Sequence, residues 1–244
     1  MIVFAKALPK IRQRVRHDLK ARGVSRKIVL ATIVQLLEKS LIRVGNEEYA
    51  RTNKSFGLTT MQDKHVKVNG SHIQLQFRGK SNKDHSIDLR SERLAKIVKR
   101  CQEIPGQDLF QYVDDDGKRQ DIKSDDVNEY LREASGEAFT AKDFRTWAGT
   151  VLAAISLLEF EKFDTQTQAK KNLVKAIESV AQRLGNTPTI CKKCYVHPAI
   201  LNSYLDGPML KTLKQRAEHQ MTALNKLSPE EAAVLTLLQQ KLAT

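Results

Sequence analysis

The chain has only three cysteines among its 244 residues. An odd number in a chain of this length fits reduced thiols, not a disulfide framework. It also lacks any apolar run long enough to cross a bilayer. The most apolar segment, TVLAAISLLEF (150–160), stops after about ten residues where a spanning helix needs about 20. The N-terminus, MIVFAKALPKIRQRVRHDLKARG, does not have the ordered basic, apolar and small-residue regions of a signal peptide. No internal repeat, low-complexity tract or clear linker interrupts the sequence. These absences argue against a secreted disulfide scaffold, a helical membrane protein and a repeat array. They predict a soluble cytoplasmic protein, associated with the nucleoid if the source is bacterial.

Acidic residues are the other shortage. Asp and Glu total 28 against 41 Lys and Arg, which leaves a net charge of +13 and a pI near 9.7. Such an excess attracts polyanions, and nucleic acid is the commonest polyanion in a cell. A basic surface with no partner is the plainer alternative at this point. The hydrophobic content of 41% is ordinary for a globular protein, and the length suits one large domain or two small ones.

Apolar residues recur at helical spacing from Phe4 to Leu41, with Ile11, Val15 and Leu19 on one face, then Ile28, Ile33, Leu36 and Leu37. Two helices are predicted, broken near Gly23-Val24-Ser25, with Ser25 as N-cap. The period changes to two over residues 65–89. Val66 and Val68 precede Asn69-Gly70, and Ile73, Leu75 and Phe77 follow, the pattern of a hairpin with a tight primed turn. A second turn after Arg78-Gly79-Lys80 leads to Ile87 and Leu89, so a three-stranded antiparallel sheet with Lys80 at a hairpin tip is expected. The rest reads as helix, apart from a turn or small hairpin at VDDDGKR. Ser124 is the expected cap of DDVNEYLREA, Thr140 with Asp143 resembles a capping box, Gly185 is a C-cap, and Ser228 caps a last helix that opens with Pro229. The expected class is α+β, mainly α-helical, with one small sheet.

The segment TICKKCYVHP (189–198) holds Cys191, Cys194 and His197, spaced like a metal or redox motif. A zinc site would need a second ligand pair, and Cys101 stands alone far away. A thioredoxin-like use would need a βαβ context, which is not visible. The cysteines therefore read as packing residues, their burial left open. Arg43, Lys80, Arg145 and Tyr195 each have a dull explanation when taken singly. Their contexts differ from that of a solvated cation: Arg43 lies between a helix and Gly45, Lys80 at a hairpin tip, and Arg145 in the first turn of an apolar helix. Two arginines, a lysine and a tyrosine are also what metal-free phosphoryl transfer to a protein nucleophile needs. The arginines stabilise nonbridging oxygens, the lysine protonates the leaving oxygen and the phenol attacks phosphorus.

Four segments in order, LIRVGNEEYARTNKSFGLTTMQDKHV, FRGKSNKDHSI, FTAKDFRTWAGT and LGNTPTICKKCYVHP, strongly resemble the catalytic domain of type IB DNA topoisomerases of the bacterial and viral kind. The resemblance covers roughly residues 1–205 and implies the DNA breaking-rejoining enzyme fold. It implies that Tyr195 forms a 3′-phosphotyrosyl bond to double-stranded DNA, that Arg43 and Arg145 bind nonbridging oxygens of the scissile phosphate, and that Lys80 is the general acid for the 5′-oxygen. Asn186 falls where viral members have histidine; its amide can donate a hydrogen bond but cannot transfer a proton. Lys142 stands where the related tyrosine recombinases commonly have histidine, which together with SFGLTT favours topoisomerase over recombinase. Lys142 reads either as a phosphate contact or as part of a solvated helix face, and Lys192 and Lys193 as candidate DNA-backbone contacts. No ATP, metal or other cofactor is implied, and a monomer is expected. The family's β-rich N-terminal clamp domain is expected to be absent. Residues 206–244 form a C-terminal helical extension whose role stays open between packing, self-association and DNA contact. A tyrosine recombinase and a non-catalytic DNA-binding domain remain the alternatives.

Overall fold

The computed structural model describes residues 1–160, 163–206 and 227–241. The chain divides into two compact units, one formed by Lys10–Lys142, the other by Met1–Pro9 together with the residues from Asp143 onward.

In the Lys10–Lys142 unit the core is helix α2 (Arg26–Ser40), where Ile28, Val29, Leu30, Ala31, Ile33, Val34, Leu36 and Leu37 are all buried. A helix apolar on nearly every side has no solvent face to offer, so other elements wrap it. These are α4 (Glu92–Gln102), α5 (Ser124–Ser135) and strands β3 (Lys83–Arg90) and β4 (Gln111–Val113). Ser25 occupies the N-cap position of α2 with extended backbone angles, without a side-chain capping bond. The second part of α1 (Ile2–Asp18) contributes Ile11 and Val15, and is fastened through Asp18. The Asp18 carboxylate accepts from Arg14 Nε at 2.7 Å, from His17 Nδ1 at 3.0 Å and from the buried Tyr130 hydroxyl at 2.9 Å. Burial alone would raise the Asp18 pKa; the bonds from His17, Arg14 and Tyr130 outweigh it and hold the carboxyl below its ordinary range.

The expected sheet is present in the order β1 (Val66–Asn69), β2 (His72–Gly79), β3, all antiparallel. Ile73, Leu75 and Phe77 point inward from β2, while its alternate residues are half-buried or exposed, as period two requires. The first turn sits one residue later than the Asn69-Gly70 signal suggests. Asn69 pairs with His72, so Gly70 and Ser71 are central, and Gly70 supplies the positive φ of 57°. Register follows from Val66 facing Leu75 on the buried side, and side-chain burial outranks the dipeptide preference. A two-stranded hairpin, β4 with β5 (Arg119–Asp121), flanks the VDDDGKR turn.

The N-cap of α5 is also shifted by one. Lys123, not Ser124, holds the cap position, because the Asp126 carboxylate takes the Lys123 backbone N–H at 2.8 Å and helix begins at Ser124.

The other unit is helical: α6 (Ala141–Glu159, of which Asp143 onward belongs here), α7 (Gln166–Leu184), α8 (Pro188–Cys194), α9 (Pro198–Leu205) and α10 (Pro229–Lys241). Helix α6 starts directly after Thr140, as predicted. Thr165 caps α7 by accepting from Gln168 N at 3.1 Å, and Gly185 closes it with φ 61°. Phe4 meets Phe144 edge-on with centroids 5.2 Å apart. Part of the predicted extension, 207–226 and 242–244, lies outside the described residues. Its helix α10 packs on this unit. Ala233, Val234, Leu235, Leu237 and Leu238 are buried, and Trp147 Nε1 donates to Glu231 Oε1 at 3.1 Å. Ser228 and Glu231 form the capping box of α10, Glu231 N donating to Ser228 Oγ at 3.2 Å and Ser228 N to Glu231 Oε2 at 2.9 Å. Among the described residues no helix is long and apolar enough to cross a membrane.

Candidate active site

Helix α6 carries Arg145 one turn from its start, and that side chain is only 4% exposed. A buried guanidinium needs hydrogen-bond acceptors. Arg145 Nη2 donates to the carbonyl of Leu184, the last residue of α7, at 2.7 Å. A helix C-terminus carries partial negative charge, so the contact suits a cation. From there the guanidinium carbon lies 5.2 Å from the centroid of the Tyr195 ring. The same α7 terminus leads through Gly185 to Asn186, which is 8% exposed and whose backbone N–H donates to Ala181 O at 2.9 Å. Thr187 then caps α8 by accepting from Ile190 N at 3.3 Å, and Pro188 opens the helix.

Tyr195 terminates α8 with its N–H on Cys191 O at 2.9 Å and backbone angles of −128° and −7°. The tyrosine is half-buried. Cys191 beneath it is fully buried, and burial pushes its thiol up to about 11, with the Arg145 charge acting in the opposite direction. Cys194 is half-buried and Cys101 is buried in the other unit, its thiol pushed up to about 12 by burial. Cys191 and Cys101 thus have the character of packing residues. His197 is a helix cap: its Nδ1 accepts from Ala199 N at 3.2 Å, and burial lowers its pKa. Lys192 and Lys193 are exposed on α8, and Lys142 is exposed at the start of α6.

In the Lys10–Lys142 unit Arg43 lies in the loop after α2 and is half-buried. That loop turns on Leu41 in the left-handed region (φ 58°) and then runs against residues 57–59. Leu58 N donates to Arg43 O at 3.0 Å and Thr59 N to Val44 O at 2.6 Å. Two glycines permit this contact. A Cβ on Gly57 would come within 2.5 Å of Gly45 Cα and 2.6 Å of Arg43 O, and Gly45 itself has φ +112°. Phe56 N then donates to Arg78 O at 2.8 Å, tying the same segment to the end of β2. Lys80 follows at the tip, exposed, in a turn where Ser81 and Asn82 both have positive φ. Its ammonium lies 5.8 Å from the centroid of Tyr49, on α3 (Glu47–Asn53).

The family described as eukaryotic DNA topoisomerase I, catalytic core, matches residues 1–224. The chain belongs to this family. Among curated relatives, DNA topoisomerase 1B of Acanthamoeba polyphaga mimivirus is 32% identical over 84% of this chain and 63% of its own length. DNA topoisomerase 1B of vaccinia virus (strain Copenhagen) is 22% identical over 82% of this chain and 62% of its own. DNA topoisomerase 1 of rabbit fibroma virus is 23% identical over 75% and 56%. The chain therefore spans less than two thirds of the length of these topoisomerases.

Within one unit of this topoisomerase family member the structure brings Arg145, Tyr195 and the α7 terminus next to Asn186 into contact; within the other it fixes Arg43 and Lys80 to opposite ends of one loop system. Sequence reasoning passed over Gly57, Thr59 and Gly149. Their signal was present only as glycines and threonines flanking the cations, in SFGLTT and RTWAGT.

Proposed function

We propose that this chain is the catalytic part of a type IB topoisomerase that cleaves one strand of duplex DNA through Tyr195 and rejoins it after rotation. The observation that carries the reading is the Arg145 guanidinium over the Tyr195 ring, held by a helix-terminal carbonyl. A cation fixed there favours negative charge both on the phenol oxygen, whose proton passes to solvent water as it attacks, and on the phosphate being attacked. Arg43 and Arg145 bind the nonbridging oxygens, Asn186 donates a further hydrogen bond, and Lys80 gives its proton to the 5′-oxygen as the P–O bond breaks. The phosphotyrosyl bond that forms replaces the phosphodiester that breaks, so the 5′-hydroxyl can reverse the reaction without ATP. The cationic side chains do the charge neutralisation, and no metal enters the scheme. Lys142, Lys192 and Lys193 contact the DNA backbone, and the protein acts as a cytoplasmic monomer.

The test is relaxation of supercoiled plasmid in EDTA without ATP, combined with covalent capture on a nicked suicide duplex. A ladder of topoisomers and a captured complex lost in Tyr195→Phe are expected. Capture that persists in Tyr195→Phe, or recombinant products in place of relaxed circles, would overturn the assignment.

A further inference from the structure

Gly149 sits in the middle of α6, where glycine costs a helix about 1 kcal/mol relative to alanine. Its backbone angles do not require it, since its φ is not positive. Space does. A Cβ at 149 would lie 2.5 Å from the carbonyl oxygen of Tyr195, 3.3 Å from the Tyr195 carbonyl carbon and 3.2 Å from Leu184 Cδ1. The clash at 2.5 Å is with backbone, which cannot swing aside as a side-chain tip can. The next residue adds a directional contact. Thr150 is fully buried, its hydroxyl donates to Thr146 O at 2.8 Å, and it accepts the backbone N–H of His197 at 3.1 Å.

We infer that Gly149 and Thr150 are positioning residues that set the depth and direction of Tyr195 against α6, the helix that also bears Arg145. Gly149 lets the Tyr195 carbonyl rest on the helix, and the Thr150 hydroxyl pins the chain two residues later. Nucleophile and cation are then referenced to one rigid element, Gly149 following Arg145 in α6 by about one helical turn. A displacement of about 1 Å at a reacting group can cost on the order of 100-fold in rate. The inference rests on the nucleophile assignment made above.

Single-turnover cleavage of the nicked suicide duplex tests it. For Gly149→Ala the rate constant of covalent capture is expected to fall about 10- to 100-fold. The fraction of enzyme finally captured should stay unchanged, and DNA affinity, measured in a Tyr195→Phe background, should stay within about twofold of the parent. Thr150→Val should slow capture while Thr150→Ser, which keeps the hydroxyl, restores it. A structural role alone would lower the captured fraction and the Tm together and leave the rate of the surviving enzyme untouched; that result overturns the inference. So does Gly149→Ala capturing at the parent rate. If Gly149→Ala does not fold, the Thr150 pair decides: equal rates for Val and Ser overturn the proposal. Capture surviving in Tyr195→Phe would remove the nucleophile assignment itself, an outcome separable from all of these.

Discussion

The two units hold their candidate site residues by different physics. In one, Arg145 and Tyr195 are placed by helices: the arginine is buried, its guanidinium hydrogen-bonded to a helix-terminal carbonyl, and the tyrosine is pressed against α6 at a glycine. In the other, Arg43 and Lys80 are carried by loops whose shape depends on backbone contacts between glycines and on a turn with two consecutive positive-φ residues, Ser81 and Asn82. The helix-held residues have few places to go once folded. Arg43 is half-buried and Lys80 exposed, and a long exposed side chain such as that of Lys80 retains rotamer freedom until a ligand orders it. The comparison teaches that a positioning change should act mainly on rate near Tyr195, but on both stability and rate near Arg43.

The largest effects are expected on the helix-held side. Tyr195→Phe should abolish covalent capture, and Arg145→Ala should reduce it by on the order of 10⁴-fold or more, as for residues that act together on one transition state. Arg145→Lys should recover little, because an ammonium cannot both reach the Leu184 carbonyl and present a planar fork. If Lys at 145 works nearly as well as Arg, the rigid-placement half of the comparison fails. Suicide-substrate capture measures all three.

Lys80→Ala comes next, with cleavage slowed by roughly 10²- to 10⁴-fold, the usual range for general acid–base catalysis. A substrate with a 5′-bridging sulfur should restore the rate, since a thiolate leaves without a proton. A rate that remains slow with the sulfur substrate would deny Lys80 its role as acid.

How much of this was legible beforehand divides along the same line. Helix ends with local chemistry were readable: Gly185 at the end of α7 and Ser228 at the start of α10 both stand where their backbone bonds require them. The sheet followed from alternation, because one face of β2 is buried. Ser124 and Asn69 were misread by one position each, since Asp126 and the Val66–Leu75 pairing decided those places and neither shows in a local dipeptide. The candidate site residues were singled out by the resemblance of four ordered segments, not by composition, where Arg43, Lys80 and Arg145 are each one cation among 41. Gly45, Gly57 and Gly149 could not be interpreted from sequence because their purpose is a close approach between segments distant in the chain. The Trp147–Glu231 bond, which docks the C-terminal helix, is hidden for the same reason.

Gly57→Ala probes that tertiary contact. An extra methyl forced between Gly45 and the Arg43 carbonyl should cost about 1–3 kcal/mol, the range for overpacking a fitted site, and should slow cleavage by shifting Arg43. A urea midpoint and a capture rate should therefore both change. A change in only the rate would make this loop behave like the helix side and erase the distinction. A stability probe away from the candidate site is Asp18→Asn, expected to cost about 1–3 kcal/mol near neutral pH by weakening the bonds from Arg14, His17 and Tyr130. Because the folded Asp18 pKa is lowered, its contribution is complete above the ordinary carboxylate pKa and disappears as pH falls through the lower folded value. The acid arm of the stability curve should flatten in the variant, and an unchanged arm would mean that Asp18 is not its source.

The smallest effect tests how loosely Lys80 is held. Its only described ring contact is Tyr49, 5.8 Å from the ammonium and 51% exposed. A cation–π contact at such an exposed position contributes about 0.5–1 kcal/mol, so Tyr49→Leu should slow the Lys80-dependent step by only about two- to fivefold. Tyr49→Phe keeps the ring face and should match the parent. The 5′-bridging sulfur substrate sharpens the reading, because a loss that acts through Lys80 should vanish when no proton is needed. A slowing of Tyr49→Leu that persists with the sulfur substrate would mean that Tyr49 acts elsewhere. A loss of 100-fold that does vanish would mean that the hairpin tip is held as firmly as α6 holds Arg145, and the contrast between loop-borne and helix-borne cations would then have to be abandoned.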